Sequence, residues 1–123
     1  MRRIWIGVAF LAGLLVAGVV VMQVTDRQMG QISSTLEQAA EAPVWAEAVA
    51  LGEKAQKDWQ AKWKLMAALT DHGDMDTIDL MFAQRKVCQQ YQDEAAHAAL
   101  CAQLARAMES LKENHRLTWW NLL

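Results

Sequence analysis

The sequence predicts an all-α protein in which an N-terminal transmembrane helix continues into a small antiparallel bundle of three to four helices. Three observations predict this fold. An uncharged apolar run covers residues 4–24, the stretches after it are rich in Ala, Leu, Glu, Gln and Lys, and their apolar residues recur every three or four positions. No alternation of apolar and polar residues bounded by turn residues follows, so no strand is predicted.

The apolar run has the length of a membrane span. A helix rises about 1.5 Å per residue, so about 20 apolar residues cross a hydrocarbon core. A cleaved secretory signal is the alternative, but its apolar region is shorter, about 7 to 15 residues, and a small-residue cleavage site follows it closely. The small-x-small sequence nearest to that pattern, residues 40–42, lies far beyond the run. We therefore expect residues 4–24 to be an uncleaved signal anchor.

Charge predicts how the chain is placed across the membrane. Arg2 and Arg3 form the basic cluster next to the run, and Lys and Arg favour the cytoplasmic side. Residues 1–3 are accordingly predicted to be cytoplasmic and residues 25–123 to be an extracytoplasmic domain of a single-pass protein of the cell membrane. Of the 12 lysines and arginines, two precede the run, which leaves 10 against 14 acidic residues in that domain. This balance argues against nucleic acid as a partner.

The first helix is predicted to leave the membrane and continue to about Ala42, because Pro43 either stops a helix or begins the next one. The second helix is predicted over residues 44–69. Its apolar positions follow one another in steps of three and four, as on the buried face of a helix. They are Trp45, Ala48, Val49, Gly52, Ala55, Trp59, Trp63, Met66 and Leu69.

Two further helices are predicted, one running to about Gln92 and one following the turn at Asp93 and Glu94. The buried face of the third is expected to hold Ile78, Met81, Phe82, Arg85, Cys88 and Tyr91. Within it, the stem of Arg85 is expected to lie along the core while the charged head reaches water. The fourth has the cleanest amphipathic pattern, with His97, Leu100, Cys101, Leu104, Ala107, Met108 and Leu111 on one face.

A polar cluster lies between the second and third helices. We interpret Asp71, His72, Asp74 and Asp76 as turn and helix-capping residues, because a histidine suits a helix C-terminus and an aspartate suits an N-terminus. Asp79 is expected to add favourable negative charge near the start of the third helix. A weak cation site or a catalytic site is the alternative, although the ligand spacing of a calcium loop is absent.

Two segments carry a resemblance to a known family. They are residues 69–78 (LTDHGDMDTI) and residues 117–123 (LTWWNLL), together with the basic start, the single span and the tryptophans of the second helix. The matching positions are His72, Asp76, Ile78 and Asn121. The chain resembles the domain of unknown function 4363 family, and departs from it at Gly73 and in the bulk of Trp119 and Trp120. The resemblance implies a short bacterial protein, typical of Gram-positive clostridial lineages, with one span and a helical outer part. It implies no reaction.

Cys88 and Cys101 lie almost symmetrically about the turn at Asp93 and Glu94. In an antiparallel hairpin turning there, the two would face each other within reach of a disulfide, which an exported compartment permits. We expect this bridge. Two reduced thiols in the core are the first alternative, and a metal site that includes His97 is the second.

The tryptophans allow more than one interpretation. Trp45, Trp59 and Trp63 are expected in the core, each needing one partner for its indole N–H. In an up-and-down bundle the fourth helix returns to the bilayer, so Trp119 and Trp120 either pack against the bundle or lie in the membrane interface. A sugar-stacking surface is a further alternative for these rings.

Within the span, Ala9, Gly13 and Ala17 repeat every four residues. Small residues at this spacing let two spans approach closely, so they are a candidate contact between spans.

Taken together, these features predict an interaction or scaffolding module at the cell envelope. Its expected partners are the lipid bilayer and either another envelope protein or a second copy of the chain. No catalytic residue, metal ligand or cofactor is assigned. Two alternatives stay open: binding of a sugar or peptidoglycan fragment through the tryptophans, and a metal-assisted enzyme at His72.

Overall fold

The computed structural model describes residues 2–69 and 72–122, and the side chains of residues 2–68 and 72–114. The described chain forms four helices and no strand. They are α1 (Arg2–Glu41), α2 (Trp45–Leu69), α3 (His72–Gln90) and α4 (Glu94–Leu122). The all-α fold predicted from the sequence is confirmed.

Helix α1 has two parts that face different surroundings. Apart from the half-buried Met22, the large apolar side chains of residues 4–24 are exposed, and the run is long and apolar enough to cross a membrane by length and composition. From Thr25 onward one face of the same helix is buried in the bundle, through Met29, Ile32, Leu36 and Ala39. With 40 residues, α1 is about 60 Å long. A single unbroken helix therefore joins the apolar run to the bundle.

The bundle is antiparallel with short connections. Helix α1 packs against α2 and α4, and α3 packs against α4, whereas α2 and α3 make few close backbone approaches. Large side chains fill the space between α2 and α3, among them Trp59 and Arg85. The last connection ends at Asp93, whose Oδ1 accepts a hydrogen bond from the Ala96 amide at 3.2 Å and so caps α4.

The core follows the predicted stripes. Its buried members come from all four helices: Met29, Ile32, Leu36, Ala39, Ala55, Trp59, Met66, Met75, Ile78, Phe82, Cys101, Leu104, Ala105, Met108 and Leu111. Tyr91 is an exception, because it lies beyond the end of α3 with its ring exposed.

The connection between α2 and α3 differs from the expected one. Helix α2 ends at Leu69 and α3 already begins at His72, so His72 lies at a helix N-terminus and not at a C-terminus. Asp74 lies in the first turn of α3, Asp76 follows within the helix, and both are exposed. Asp71 lies outside the described residues. Helix α3 therefore starts earlier than the position of its acidic residues suggested.

Helix α4 is bonded directly to α1. The Ser33 hydroxyl donates a hydrogen bond to the carbonyl of Ala105 at 3.1 Å, which fixes the register of α4 against α1. Helix α4 continues to Leu122, about 25 Å beyond Ala105 along its axis. The side chains of Trp119, Trp120 and Asn121 lie outside the described ones.

Candidate functional site

Arg85 lies at the centre of a polar cluster between α2, α3 and α4. Its side chain is completely buried, which corrects the expectation that its head reaches water. Its Nη1 donates to Gln89 Oε1 at 3.0 Å and to His97 Nε2 at 3.1 Å. Its Nη2 donates to Gln56 Oε1 at 2.8 Å and approaches Glu53 Oε1 at 3.4 Å. One guanidinium group thereby joins three helices.

Gly52 makes room for this guanidinium. A Cβ placed at Gly52 would lie 2.8 Å from Arg85 Nη1 and 3.2 Å from its Cδ. Cβ atoms in proteins essentially never lie this close to another heavy atom. Helix α2 can therefore pass Arg85 at this distance only with a glycine at position 52. The buried side chain of Arg85 therefore explains why a glycine occupies position 52 inside a helix.

We expect Gly52→Ala to destabilise the bundle by about 1 to 3 kcal/mol, because four hydrogen-bonded partners hold Arg85 in the space that the new methyl group needs. Helix propensity alone would stabilise the variant by about 1 kcal/mol. Urea unfolding of the full chain in detergent micelles measures the sign. Gly30→Ala is the matched control, since a Cβ there would meet only Lys112 Nζ at 3.9 Å. A stabilised Gly52→Ala variant would contradict the expected result.

The charge of the cluster is balanced at its edge. Glu53 Oε1 accepts a hydrogen bond from Lys86 Nζ at 2.6 Å and also faces Arg85. The Lys86 hydrogen bond is the main cause that holds the pKa of Glu53 below its ordinary value, against the opposing effect of burial. One carboxylate therefore faces two cations, and the guanidinium depends on neutral partners for the rest of its hydrogen bonds.

His97 is one of those neutral partners. Guanidinium nitrogens only donate, so Nε2 of His97 must accept and its ring hydrogen sits on Nδ1. The ring is 1 % exposed, and Trp45 contacts it edge to face with 5.1 Å between the ring centroids. Burial first, and the charge of Arg85 second, lower the pKa of His97.

This arrangement predicts how stability depends on pH. The pKa of His97 in the fold lies below that of the unfolded chain, so its contribution is complete above about pH 6.5 and is lost as the pH falls through the folded-state pKa. We expect the urea midpoint to fall between about pH 7 and about pH 5, above the range in which glutamates titrate. His97→Gln should reduce this fall, whereas His72→Gln, a change at an exposed histidine, should leave it intact. An unchanged pH profile in His97→Gln would refute the assignment.

The predicted disulfide is not formed: Cys88 and Cys101 are both free thiols. The connection between α3 and α4 covers residues 91–93, so the turn is centred at Gln92 and not at Asp93 and Glu94. About this centre, Cys88 lies four residues before the turn and Cys101 nine residues after it, so the two are about five residues, or about 7 Å along the helix axis, out of level. Instead, Cys101 Sγ lies 3.8 Å from Nδ1 of His97 and is completely buried.

The two thiols should differ in reactivity. Burial raises the pKa of the Cys101 thiol to about 11, more than the charge of Arg85 lowers it, whereas Cys88 is only half-buried. Because the thiolate is the nucleophile, we expect a maleimide to modify Cys88 in the folded protein and Cys101 only after urea is added. Peptide mass mapping of the labelled full chain measures both. A peptide pair linked through both cysteines in the unreduced protein would contradict this expectation.

A second polar group connects α2 with α3. Both oxygens of the Asp79 carboxylate accept indole hydrogens: Oδ1 from Trp59 Nε1 at 2.7 Å and Oδ2 from Trp63 Nε1 at 2.9 Å. The Trp59 ring is 1 % exposed and lies nearly parallel to Phe82, with 6.4 Å between the centroids. Trp63 is half-buried against the same core. Asp79 thus binds two indoles, a role that its position near a helix start did not reveal.

The structure keeps the predicted site residues apart. His97 and Cys101 come together with Arg85 in the core, whereas His72, Asp74 and Asp76 lie exposed at the far end of α3. Within the described residues, no group of three or more His, Cys, Asp or Glu is arranged to hold a metal ion. Ala9, Gly13 and Ala17 are exposed in the apolar run, and a Cβ at Gly13 would meet nothing within 4 Å.

The role of the Arg85 cluster is therefore structural. Its buried hydrogen bonds hold α2, α3 and α4 at a fixed spacing. The strongest sign of it in the sequence is the pairing of a mid-helix Gly52 with a charged residue on an otherwise apolar stripe. The pairing of Asp79 with two indoles left no comparable sign.

Comparison with family models matches residues 17–122 to the domain of unknown function DUF4363. Comparison with curated proteins and with solved structures finds no match. The match covers the end of the apolar run and almost the entire bundle, including the α2 to α3 connection on which the resemblance depends. The chain belongs to the DUF4363 family.

Proposed function

We propose that the protein is a membrane-anchored interaction module of the bacterial cell envelope. Residues 4–24 span the membrane, Arg2 and Arg3 stay in the cytoplasm, and the bundle lies outside. The exposed apolar run supports the anchor, because its large apolar side chains, Met22 apart, are exposed in the described fold. The Arg85 cluster and Trp59 are enclosed in the bundle, so a partner would meet its outer surface.

The observation that carries the proposal is a docking stripe along the outer face of α3 and the residue that follows its last turn, formed by Leu80, Gln84, Val87 and Tyr91. Leu80, Val87 and Tyr91 are 60, 51 and 81 % exposed. With Gln84 included, the four residues of the stripe are spaced by four, three and four positions, which is the spacing of a coiled-coil seam. The stripe contains no charged residue, and the flanking Ala83 and Gln90 are also uncharged. Apolar side chains in a row on a solvent-facing helix are typical of a helix that binds another helix.

The occupant we propose is the same stripe of a second copy. Anchoring in one membrane sets two copies parallel, so each residue of the stripe meets its own counterpart across a twofold axis. Such pairing tolerates no charge in the seam, and the stripe meets this condition. The seam is only about 17 Å long, so the association is expected to be weak in solution and to depend on confinement to one membrane.

Site-specific crosslinking tests this in the native membrane. We place the photoreactive amino acid benzoylphenylalanine at Val87 in the full chain, and at the exposed Gln60 of α2 as the matched control. Irradiation should yield an adduct of twice the chain's mass from Val87 and none from Gln60. An adduct with a different protein would keep the interaction role and reject the second copy, and no adduct at Val87 would reject the docking stripe.

Protease digestion of intact cells tests the anchor and its orientation separately. We expect external protease to remove the bundle, and alkaline carbonate to leave the chain in the membrane fraction. Digestion that occurs only after the cells are opened would reverse the proposed orientation. Release of the chain by carbonate would reject the membrane span.

A further inference from the structure

A polar groove lies between α1 and α2 at the end of the bundle next to the apolar run. Its volume is about 240 Å³, and Gln28, Gln31, Ile32, Asp58 and Lys62 line it. The groove is therefore large enough for a small polar group or for several waters. One wall carries two amides from α1, and the other carries a carboxylate and an ammonium group from α2.

The polar groups of the groove have few partners within the protein. Asp58 and Lys62 are one helical turn apart, yet among the described residues neither forms an ion pair or a hydrogen bond. The Oε1 atom of Gln28 is buried without a donor. A buried acceptor without a donor costs about 1 to 3 kcal/mol, so the groove favours a ligand that brings one. The ligand that complements these groups carries N–H donors at one end and an anion at the other.

The position of the groove along α1 places it near the membrane surface. Gln28 lies four residues beyond Val24, which places it about 6 Å above the end of the apolar run. The headgroup layer on each side of the hydrocarbon core is about 5 to 7 Å thick. With residues 4–24 in the bilayer, as the proposed function requires, the lower end of the groove lies at the level of the lipid headgroups.

We propose that this groove binds a small zwitterion, an ammonium group joined to a phosphate, and that the ethanolamine headgroup of a phospholipid supplies it. Lys62 Nζ donates to the phosphate, while Asp58 and Gln28 Oε1 accept hydrogens from the ammonium. A choline headgroup has no N–H to donate, so the site distinguishes ethanolamine from choline. This inference rests on the proposed membrane anchor but not on the docking stripe.

Native mass spectrometry of the full chain in detergent micelles tests the proposal. Phosphatidylethanolamine and phosphatidylcholine with identical acyl chains are added in turn, and the lipid adducts are counted. We expect ethanolamine lipid to be retained at least about fivefold better, a difference of about 1 kcal/mol. Asp58→Asn and Lys62→Gln should each remove most of this preference. Lys57→Gln, at an exposed lysine of the same helix outside the groove lining, should keep it.

Glycerophosphoethanolamine, the water-soluble headgroup, distinguishes the source of the zwitterion. Displacement of the lipid by a large excess of this compound supports headgroup binding in the groove. Equal affinity for the soluble compound and the lipid would replace the lipid by a soluble zwitterion as the ligand. Equal retention of the two lipids, or an ethanolamine preference that persists in both groove variants, would overturn the proposal.

The membrane anchor and the headgroup site can be refuted separately. A chain that alkaline carbonate releases from membranes but that still binds glycerophosphoethanolamine through Asp58 and Lys62 would refute the anchor and with it the lipid as source. A chain that stays in the membrane and shows no headgroup preference would refute the groove alone. Far-UV circular dichroism of each variant establishes that the helices are intact before binding is compared.

Discussion

Trp59→Ala is expected to destabilise the bundle by about 3 to 5 kcal/mol, as measured by urea unfolding of the full chain in mild detergent micelles. The substitution removes a ring that is 1 % exposed, its stacking on Phe82 and its hydrogen bond to Asp79. It also opens a cavity where α2 and α3 have few other close contacts. Because the stability of a domain of this size is itself about 5 to 15 kcal/mol, such a loss is a large part of the total.

Two milder variants separate the causes of that effect. Trp59→Phe keeps most of the ring and removes the indole donor, so we expect a loss of about 1 to 2 kcal/mol. Asp79→Asn turns one of the two acceptors into a donor that faces an indole N–H, and its loss should be similar. If Trp59→Ala changes the stability by less than about 1 kcal/mol, the ring is not a central part of the core.

Arg85→Ala is expected to cost a further large amount, about 3 to 5 kcal/mol in the same measurement. The guanidinium bonds α2, α3 and α4 together, and truncation leaves a void beside Gly52 and removes the donor that His97 faces. Arg106→Ala, at an exposed arginine of α4, is the matched control and should stay within about 0.5 kcal/mol of the parent protein.

Arg85→Met tests whether volume or bonding matters more at this position. Methionine fills much of the space without a buried charge, so we expect a loss below about 2 kcal/mol. The charge of Arg85 is one cause that lowers the pKa of His97, and its removal should weaken the fall in stability below about pH 6.5. A variant as unstable as Arg85→Ala, with an unchanged pH profile, would show that this account of the cluster is wrong.

The sequence predicts much of the fold because the helical signals are local. The apolar run, Pro43 and the spacing of Trp45, Trp59 and Trp63 place helices α1 and α2 almost where they occur. The match to the DUF4363 family confirms the resemblance stated from the same residues. The disulfide prediction was wrong because it depended on the centre of one turn, and with that centre one to two residues earlier the two cysteines are about 7 Å out of level along the helices.

The sequence by itself determined that the chain is helical, where its helices lie, that one segment is apolar enough to cross a membrane, and to which family it belongs. Only the tertiary structure decided which residues come together: Arg85 with His97 and Gly52, Asp79 with two tryptophans, and Gln28 with Asp58 and Lys62 on the opposite wall of a groove. The physical reason is one of range. Helix formation depends on residues three or four positions apart, whereas these encounters join residues 12 to more than 30 positions apart and depend on how whole helices pack.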